Sequence, residues 1–396
     1  MKTIDSINFK NTCVLIRVDF NVPLDLEFNV TDDTRIRAAI PTIKKILNDG
    51  GSVILMSHLG RPKSGPEKKF SLKHIVKTLE NLLNTNVKFA SDCIGDEAKN
   101  LSANLKNGEV ILLENLRFYK EEEKGDESFA QKLSSLGDFY VNDAFGTAHR
   151  SHASTVIIAK FFPNKKCFGY VMSKELASIN KVMSNSAKPF TAILGGVKVS
   201  DKILILEQLI KKADNIIIGG AMAFTFVKAL GGNIGKSFVE EDKLEIAKNI
   251  LSEAKKLGVE INIPVDCIIA DNFSNDAHHK ICNIKAIPDG WMGLDIGPKT
   301  EIFFHDIILK SKTILWNGPM GVFELNNFEH GTKAVAMAIA ESTSKGTYSL
   351  IGGGDSVTAI NKYKMENKMS YVSTGGGALL EYIESGTLPG VEAIEK

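Results

Sequence analysis

The chain has 396 residues, which exceeds the size at which a single hydrophobic core stops growing, so two domains are expected. Its composition, with 43% hydrophobic and 24% charged residues and a net charge of +1, is typical of a globular protein. This balance excludes a general attraction to nucleic acids or anionic membranes, so any anion site must be formed locally.

The N-terminal segment MKTIDSINFKNTC lacks a continuous apolar core, and no later apolar run approaches the length of a membrane span. We therefore expect no signal peptide, no membrane association and a cytoplasmic protein. The five cysteines form no CxxC pair, and Cys13, Cys93 and Cys167 lie in or beside apolar segments. This pattern favours buried, reduced thiols over a metal or redox centre.

The first half of the chain alternates short apolar runs with longer amphipathic segments. Continuous apolar runs predict strands of a parallel sheet that helices cover on both faces. The runs are TCVLIRVDF, SVILMSHLG, EVILLENLRF and DFYVNDAFG. The acidic stretch EEEK, Glu121 to Lys124, is interpreted as a solvated helix start.

The strand ends of this half carry basic and hydrogen-bonding side chains. Ligands of open α/β sheets bind at the carboxyl ends of strands, and clustered guanidinium groups suit phosphate and carboxylate, so an anion site is predicted. The side chains are Arg17, Asp19, Asn21, His58, Arg61, Arg117, His149, Arg150 and His152. The HxxH spacing of the last two histidines is a weak zinc signal, because cysteine or acidic ligands at suitable spacing are missing.

A segment between the halves, Ser173 to Pro189, predicts a helix that joins two domains. Ser173 suits the N-cap position, and Leu176, Ile179 and Val182 repeat at helical spacing before the proline ends the pattern. The segment is therefore expected to be an amphipathic connector.

The second half repeats the alternation, but its strands end in glycines. The runs are PFTAILGG, NIIIGG, TILWNG, YSLIGGG and SYVSTGGG. One such glycine pair often serves only a turn or close packing, whereas several predict a ligand that lies against backbone. None completes GxGxxG, and GGNIGKS, Gly231 to Ser237, is one residue too short for a Walker A loop. The fold class predicted for both halves is α/β with doubly wound parallel sheets.

The stretch TAILGGVKVSDKI, Thr191 to Ile203, predicts a strand, a tight turn and the start of a helix, where N–H groups favour a phosphate. Lys198 and Lys202 would then share one helix face, as a phosphate cradle or as a solvated stripe. Asp355 in IGGGDSVTA either caps its helix or holds magnesium beside a phosphate.

Taken in order, the motifs resemble those of the phosphoglycerate kinase family along nearly the whole chain. The matching segments are RVDFNVP, SHLGRP, ENLRF, FGTAHRSH, ILGGVKVSDKI, DGWMGLDIGP, WNGPMGVFE, GGGDS and TGGGALLE. The resemblance implies two Rossmann-like domains that face each other across a cleft and are joined by an interdomain helix. It implies a first domain of residues 1–172 plus 386–396, the helix at 173–188, and a second domain of residues 189–385.

The resemblance also implies the site residues, position by position. The first domain would bind 3-phosphoglycerate or 1,3-bisphosphoglycerate through Arg17, Asp19, Asn21, Arg35, His58, Arg61, Arg117 and Arg150. The second would bind ATP or ADP through Gly195, Lys198, Lys202, Gly219, Asn317, Glu324, Gly352, Gly353, Gly354, Asp355 and Ser356, with Mg²⁺ held by Asp355. Catalytic roles are implied for Arg35, Lys198, Lys202, Gly353 and Gly376. Without the resemblance, Arg35 reads as an ordinary residue at a helix start.

The implied activity is reversible phosphoryl transfer between 1,3-bisphosphoglycerate and MgADP, giving 3-phosphoglycerate and MgATP in glycolysis and gluconeogenesis. The family further implies a monomer that closes about a hinge formed by the connecting helix and the TGGGALLE segment. Three residues depart from the family pattern: Val197 is larger than usual, Ser356 replaces threonine, and Leu379 replaces serine.

Two other classes of protein stay open on the residues alone. A binding protein that closes on an anionic metabolite accounts for the arginines, but not for the glycine-lined half with its two lysines and aspartate. An NAD-dependent dehydrogenase shares the type of fold but lacks its glycine fingerprint.

Overall fold

The computed structural model describes residues 3–63 and 65–396, and the chain divides into two compact units. One unit runs up to Ala177 and also includes Ser385–Lys396, and the other is Ser178–Glu384. Met1, Lys2 and Ser64 lie outside the described residues. Each unit contains a six-stranded sheet in which every pairing is parallel, so the predicted α/β class is confirmed.

The sheet of the first unit has the strand order β3-β4-β2-β1-β5-β6. Its strands are β1 (Cys13–Val18), β2 (Ser52–Met56), β3 (Val87–Ala90), β4 (Val110–Leu113), β5 (Phe139–Asp143) and β6 (Lys166–Phe168). The helices are α1 (Thr34–Asn48), α2 (Val76–Leu83), α3 (Asp96–Ala103), α4 (Lys120–Lys124), α5 (Glu127–Ser134) and α6 (Tyr170–Met183). The central strands are buried on both faces, which is why their sequences are continuous apolar runs.

The main sheet of the second unit has the order β10-β8-β7-β15-β16-β17. The strands of the unit are β7 (Phe190–Leu194), β8 (Asn215–Ile218), β9 (Asn233–Ile234), β10 (Glu260–Asn262), β11 (Asp266–Ala270), β12 (His279–Asn283), β13 (Ala286–Ile287), β14 (Met292–Ile296), β15 (Thr313–Asn317), β16 (Tyr348–Ile351) and β17 (Tyr371–Val372). Its helices are α7 (Ile203–Leu209), α8 (Met222–Ala229), α9 (Leu244–Lys256), α10 (Pro298–Lys310), α11 (His330–Ser344), α12 (Gly354–Lys362) and α13 (Gly377–Ser385).

The second unit also contains a small antiparallel sheet, β12-β11-β14, that the sequence did not predict. The edge strand β12, with the sequence HKICN, is largely exposed and polar, so it lacks an apolar run of the kind that predicted β7, β8, β15, β16 and β17.

Helix α6 begins at Tyr170, so the predicted N-cap at Ser173 is wrong. The carboxylate of Asp143, at the end of β5, accepts hydrogen bonds from the backbone N–H groups of Val171 at 2.8 Å and Met172 at 3.2 Å. The helix is therefore capped by a residue distant in sequence. The division between the two units falls inside this helix, after Ala177.

The C-terminal helix α14 (Pro389–Glu395) packs within the first unit. The N–H of Gly390 donates to the carbonyl oxygen of Ala148 at 2.8 Å, and Val391 and Ile394 are buried. The last residues of the chain thus belong to the same unit as the first strands.

The five cysteines are free thiols, of which Cys93, Cys167 and Cys267 are buried, while Cys13 and Cys282 are partly exposed. Within the described ranges, no helix combines the length and the apolar character needed to cross a bilayer.

Candidate active site

Each main sheet has one point at which successive connections leave to opposite sides. In the first unit it lies between β1 and β5, and in the second between β7 and β15. Open α/β sheets bind ligands in the crevice at the carboxyl ends of such strand pairs. Most of the predicted site residues lie in the loops that follow these strands and their neighbours.

In the first unit, the loop after β1 is tied to α1 and to the loop after β2. A guanidinium nitrogen of Arg35 lies 3.3 Å from a carboxylate oxygen of Asp19 and donates to the carbonyl oxygen of Asn21 at 3.0 Å. The side-chain oxygen of Asn21 accepts the N–H of Gly60 at 2.8 Å. Arg35, which only the resemblance implied, therefore lies beside Asp19 and Asn21.

Arg17 and His58 lie deeper in the same unit, with 1% and 4% of their surface exposed. The Arg17 Nε donates to Ser154 Oγ at 2.8 Å, and its Nη2 lies 3.2 Å from His58 Nδ1. Another Arg17 nitrogen donates to the carbonyl oxygen of Val18. Arg17 thus exposes almost no surface to a ligand in this structure, and its guanidinium group is occupied by protein partners.

The other arginines of the unit differ in how many hydrogen bonds and ion pairs their guanidinium groups form within the protein. Arg117 donates to the carbonyl oxygen of Gly60 at 2.8 Å, and its Nε lies 3.3 Å from a carboxylate oxygen of Glu123. Arg150 is partly exposed and contacts the ring of His149, whereas Arg61 is exposed and forms no hydrogen bond to the other site residues. In the described part of the chain, neither Arg61 nor Arg150 has a carboxylate at salt-bridge distance, so both charges are available to an anion.

The electrostatics of this region favour an anion. Burial lowers the pKa of His58 well below its ordinary value, and the charges of Arg17, Arg117 and Arg35 lower it further. Burial and nearby arginine charges also lower the pKa of His152 to about 3. Both rings are therefore neutral at physiological pH, and the positive potential comes from the guanidinium groups.

The interpretation of EEEK as a solvated helix start is wrong for Glu122, which is 1% exposed. One of its carboxylate oxygens accepts the hydroxyl of Ser154 at 2.6 Å, and the other accepts the N–H of Ser154 at 3.0 Å. Burial raises the pKa of this carboxyl, while the charge of Arg17 opposes the rise. This burial could not be predicted locally, because Glu122 lies between two other glutamates that are both exposed.

In the second unit, the glycines that end β7 and β8 allow close packing of loops. The N–H of Gly195 donates to the carbonyl oxygen of Asn317 at 2.9 Å, and a Cβ on Gly195 would lie 2.1 Å from the carbonyl oxygen of Pro319. A Cβ on Gly219 would lie 2.3 Å from the sulfur of Met320. Gly195 therefore needs to be glycine because backbone atoms pack against it, whereas at Gly219 the close atoms belong to the flexible side chain of Met320.

Asn317, at the end of β15, connects Lys202 with the loop after β16. The Lys202 Nζ donates to the side-chain oxygen of Asn317, and the side-chain nitrogen of Asn317 donates to the carbonyl oxygen of Gly352 at 2.8 Å. Burial lowers the pKa of Lys202, opposed by the charges of carboxylates that include Asp355. One amide side chain thus joins a predicted phosphate-binding lysine to the glycine loop.

Two of the residues that depart from the family pattern lie in this loop region. The Ser356 hydroxyl accepts the N–H of Gly318 at 2.6 Å, so this hydroxyl links α12 to the loop after β15. Leu379 is buried, and its side chain fills the space that a Cβ on Gly352 would occupy, at 1.9 Å. The third, Val197, is 56% exposed.

The prediction that Lys198 and Lys202 share one helix face is wrong. Helix α7 begins only after Lys202, and Lys202 ends a short 3-10 helix that starts at Ser200. The carboxylate of Glu240 accepts both the N–H and the hydroxyl of Ser200, which fixes this separate turn. Lys198 precedes the turn and is exposed, whereas Lys202 is directed toward Asn317.

Helix α12, rather than α7, begins directly after a strand and its glycines. Gly353 occupies the N-cap position with φ +92°, and no side chain caps the helix. Asp355 is the second helical residue and is exposed, so it is not the cap. The start of α12 therefore offers backbone N–H groups and one free carboxylate to a ligand. Gly376, with φ +47°, immediately precedes α13 and has no side chain near it.

A cavity of about 720 Å³ lies within the second unit, and Glu324 and Asp355 are among the residues that line it. Most of its wall is apolar, which suits a flat organic ring system. The lining includes Gly220, Ala221, Phe224, Met320, Val322 and Leu325. The sequence did not predict these apolar residues, because they come from several separate segments and each resembles an ordinary core residue.

The described residues contain no cluster of three or more histidine, cysteine or acidic side chains that could hold a metal ion. Asp355 is thus a single carboxylate at a helix start. This donor set fits a magnesium ion whose other ligands are phosphate oxygens and water.

One unit of this α/β protein contains a cluster of basic residues, and the other contains a cavity lined in part by glycines. This combination is typical of proteins that bind phosphorylated ligands. The family model for phosphoglycerate kinase matches residues 4–386. Phosphoglycerate kinase from Porphyromonas gingivalis is 52% identical over 417 aligned residues, which cover 99% of this chain and 100% of that protein. Cytosolic phosphoglycerate kinase from Triticum aestivum is 53% identical, covering 100% of this chain and 98% of that one.

The solved structures agree with the sequence relatives. The structure of phosphoglycerate kinase from Coxiella burnetii has a TM-score of 0.90 at 39% identity and covers 99% of this chain and 98% of that chain. The chain therefore belongs to the phosphoglycerate kinase family.

Proposed function

We propose that this protein catalyses reversible phosphoryl transfer between 1,3-bisphosphoglycerate and MgADP, giving 3-phosphoglycerate and MgATP. The observation that carries the proposal is the family match over residues 4–386. The basic cluster of the first unit and the cavity of the second supply the two kinds of binding group that the reaction needs.

We assign the acid substrate to the first unit. Arg61 and Arg150 have no acidic partner in the described chain, so their charges would pair with the phosphate and carboxylate groups of the substrate. Asp19 and Asn21 would accept and donate hydrogen bonds at its hydroxyl, held in place by Arg35. Arg117 and His58 would complete the site from the neighbouring strand ends.

We assign the nucleotide to the second unit. The apolar cavity would hold the base, and the carboxylate of Glu324 at its wall would accept hydrogen bonds from ribose hydroxyls. The phosphates would lie at the start of α12, near Lys202 and the loop of Gly352 to Gly354. Asp355 would hold Mg²⁺, which supplies charge compensation for the nucleotide phosphates when bound.

The reaction needs placement and charge stabilisation more than covalent catalysis. The attacking group of 3-phosphoglycerate is a carboxylate, which is ionised at neutral pH, so no general base is required. Lys198 and Arg35 would stabilise the charge on the moving phosphoryl group. Because Lys198 is exposed and has no protein partner in the described chain, its ammonium group is available for this role.

Two substrates bound to different units must meet before transfer, so we propose that turnover includes closure of the units about a hinge. Closure would exclude water and limit ATP hydrolysis. We further propose that the protein acts as a monomer in the cytoplasm. The name of the wheat relative includes the word cytosolic, whereas other relatives carry the word chloroplastic in their names.

The test is a mixture of protein, ATP, Mg²⁺ and 3-phosphoglycerate in which formation of the acyl phosphate is followed by a coupled assay. We expect turnover, and we expect Lys198→Ala to lower kcat by about 10²–10³-fold, because one charge at the transition state is lost. The matched control is Lys211→Ala, an exposed lysine just beyond the C-terminal end of α7, which should leave kcat unchanged.

Absence of turnover would contradict the proposal and favour an anion-binding protein, whereas enhanced fluorescence of bound NADH would favour a dehydrogenase. If the Lys198→Ala variant retains a near-normal rate, the assigned contact to the phosphoryl group is wrong.

A further inference from the structure

A buried chain of hydrogen bonds runs through the first unit from Glu122 to His58. The Arg17 Nε can only donate, so Ser154 Oγ accepts from it at 2.8 Å. The single hydroxyl hydrogen of Ser154 then donates to a carboxylate oxygen of Glu122 at 2.6 Å, and the N–H of Ser154 donates to the other oxygen. With Glu122 as a carboxylate, the direction of every one of these bonds is fixed.

The other end of the chain decides the tautomer of His58. The Arg17 Nη2 also can only donate, so the His58 Nδ1 at 3.2 Å must accept. A neutral imidazole carries one proton, which is then on Nε2. Among the described residues, no acceptor lies within hydrogen-bond distance of that nitrogen. Its N–H group is thus left available for a ligand.

The charges around the ring act in the same direction. The guanidinium charges of Arg17, Arg117 and Arg35 all oppose a positive charge on His58, whereas the neighbouring ring of His152 is itself neutral. Together with burial, they keep the imidazole neutral, so a second proton does not displace the bond from Arg17. The carboxylate of Glu122 offsets the charge of Arg17, which would otherwise be buried without an acid.

We propose that Glu122, Ser154 and Arg17 are positioning residues that hold His58 as its neutral Nε2–H tautomer, with this N–H as a donor to the anionic acid substrate. The statement about the substrate rests on the proposed function, whereas the statement about the tautomer does not. None of the three residues needs to touch the substrate, which explains why an arginine at a strand end is almost fully buried.

The tautomer is tested by NMR of the full chain labelled with ¹⁵N-histidine, with the His58 signals assigned by their loss in His58→Asn. At neutral pH we expect a protonated Nε2 and an unprotonated Nδ1 for His58. In Arg17→Met, which removes the donor at similar length, we expect a mixture of tautomers. A protonated Nδ1 in the unchanged protein would overturn the proposal.

The positioning role is tested by steady-state kinetics of Glu122→Gln and Ser154→Ala. We expect the KM for 3-phosphoglycerate to rise roughly tenfold, the effect of weakening one charge-assisted hydrogen bond, with the KM for ATP within about twofold of its original value. The control Glu121→Gln changes the same chemical group one residue away, where it is exposed, and should change neither constant. Equal changes in both KM values would indicate general loss of structure and overturn the positioning role.

The two experiments also separate this inference from the proposed function. If the protein shows no phosphoryl transfer, the function fails while the NMR result still decides the tautomer. If transfer occurs and the tautomer is as expected, but neither variant changes the KM for the acid, the coupling from Glu122 to the substrate is wrong.

Discussion

Gly353 has a backbone conformation and a surrounding space that exclude any side chain. Its φ is +92°, and a Cβ built on it would lie 2.3 Å from the side-chain nitrogen of Asn317. That nitrogen donates to Gly352, and the same side chain accepts from Lys202. A methyl group here would therefore both strain the backbone and displace the side chain that connects the lysine to the glycine loop.

We predict that Gly353→Ala lowers the free energy of unfolding of the second unit by about 2 kcal/mol, the usual cost of such a backbone strain. The matched control is Gly354→Ala, because a Cβ on Gly354 has no atom within 4 Å and its φ is not in the left-handed region. Urea unfolding measures both variants. Equal stabilities of the two would contradict the strain predicted for a side chain at position 353.

At the level of elements, the start of α6 depends on one buried carboxyl group. Asp143 is 1% exposed, and burial raises its pKa to about 7, although hydrogen bonds from Thr42 and from the α6 backbone oppose the rise. The charge of Lys174, on the helix itself, opposes it as well. The cap of this helix is thus a titrating group within the physiological pH range.

The sign of the effect on stability follows from these values. A carboxyl group whose pKa is higher in the folded chain than in the unfolded chain, where it is about 3.9, binds a proton on folding. Its favourable contribution to the free energy of unfolding is fully present below about pH 3.9. This contribution declines as the pH rises to about 7 and does not change further above that pH.

We predict that Asp143→Asn, which keeps an oxygen acceptor for Val171 and Met172, removes this decline. The variant should match the original protein near pH 4 and exceed it by a few kcal/mol near pH 8. Thermal or urea unfolding across this range measures the difference. Parallel pH profiles for the two proteins would mean that folding does not shift the pKa of Asp143.

At the level of the whole molecule, the chain divides its chemistry between two units of similar construction. The arginines belong to the unit that ends at Ala177 and regains Ser385–Lys396, and the glycine loops belong to Ser178–Glu384. Under the proposed function, the binding groups for the two anionic substrates would therefore belong to different units, and transfer would wait until both substrates are bound.

We predict that the radius of gyration decreases when MgATP and 3-phosphoglycerate are both present, and less with either alone. The reason is that neutralisation of both anions by cationic groups from both units requires the units to approach. Small-angle X-ray scattering on the free, singly bound and doubly bound protein measures this. Scattering curves that are unchanged with both ligands would contradict the proposed closure.

The sequence alone determined the α/β class, the expectation of two domains and the different chemistry of the two halves. Strands buried on both faces must be continuous apolar runs, and ligand-binding residues collect where such runs end, so both features are visible locally. The resemblance added Arg35, whose local sequence is that of an ordinary helix start.

Only the tertiary structure decided which of these groups meet. The burial of Glu122, the cap that Asp143 provides, the orientation of Lys202 toward Asn317 and the apolar cavity all arise from residues distant in sequence. These features depend on the order of the strands and on how the helices cover the sheet. Neither can be predicted from the residues next to them in sequence. Glu122, for example, is buried rather than solvated because Ser154 packs against it and donates a hydrogen bond to it. This contact forms only in the folded chain.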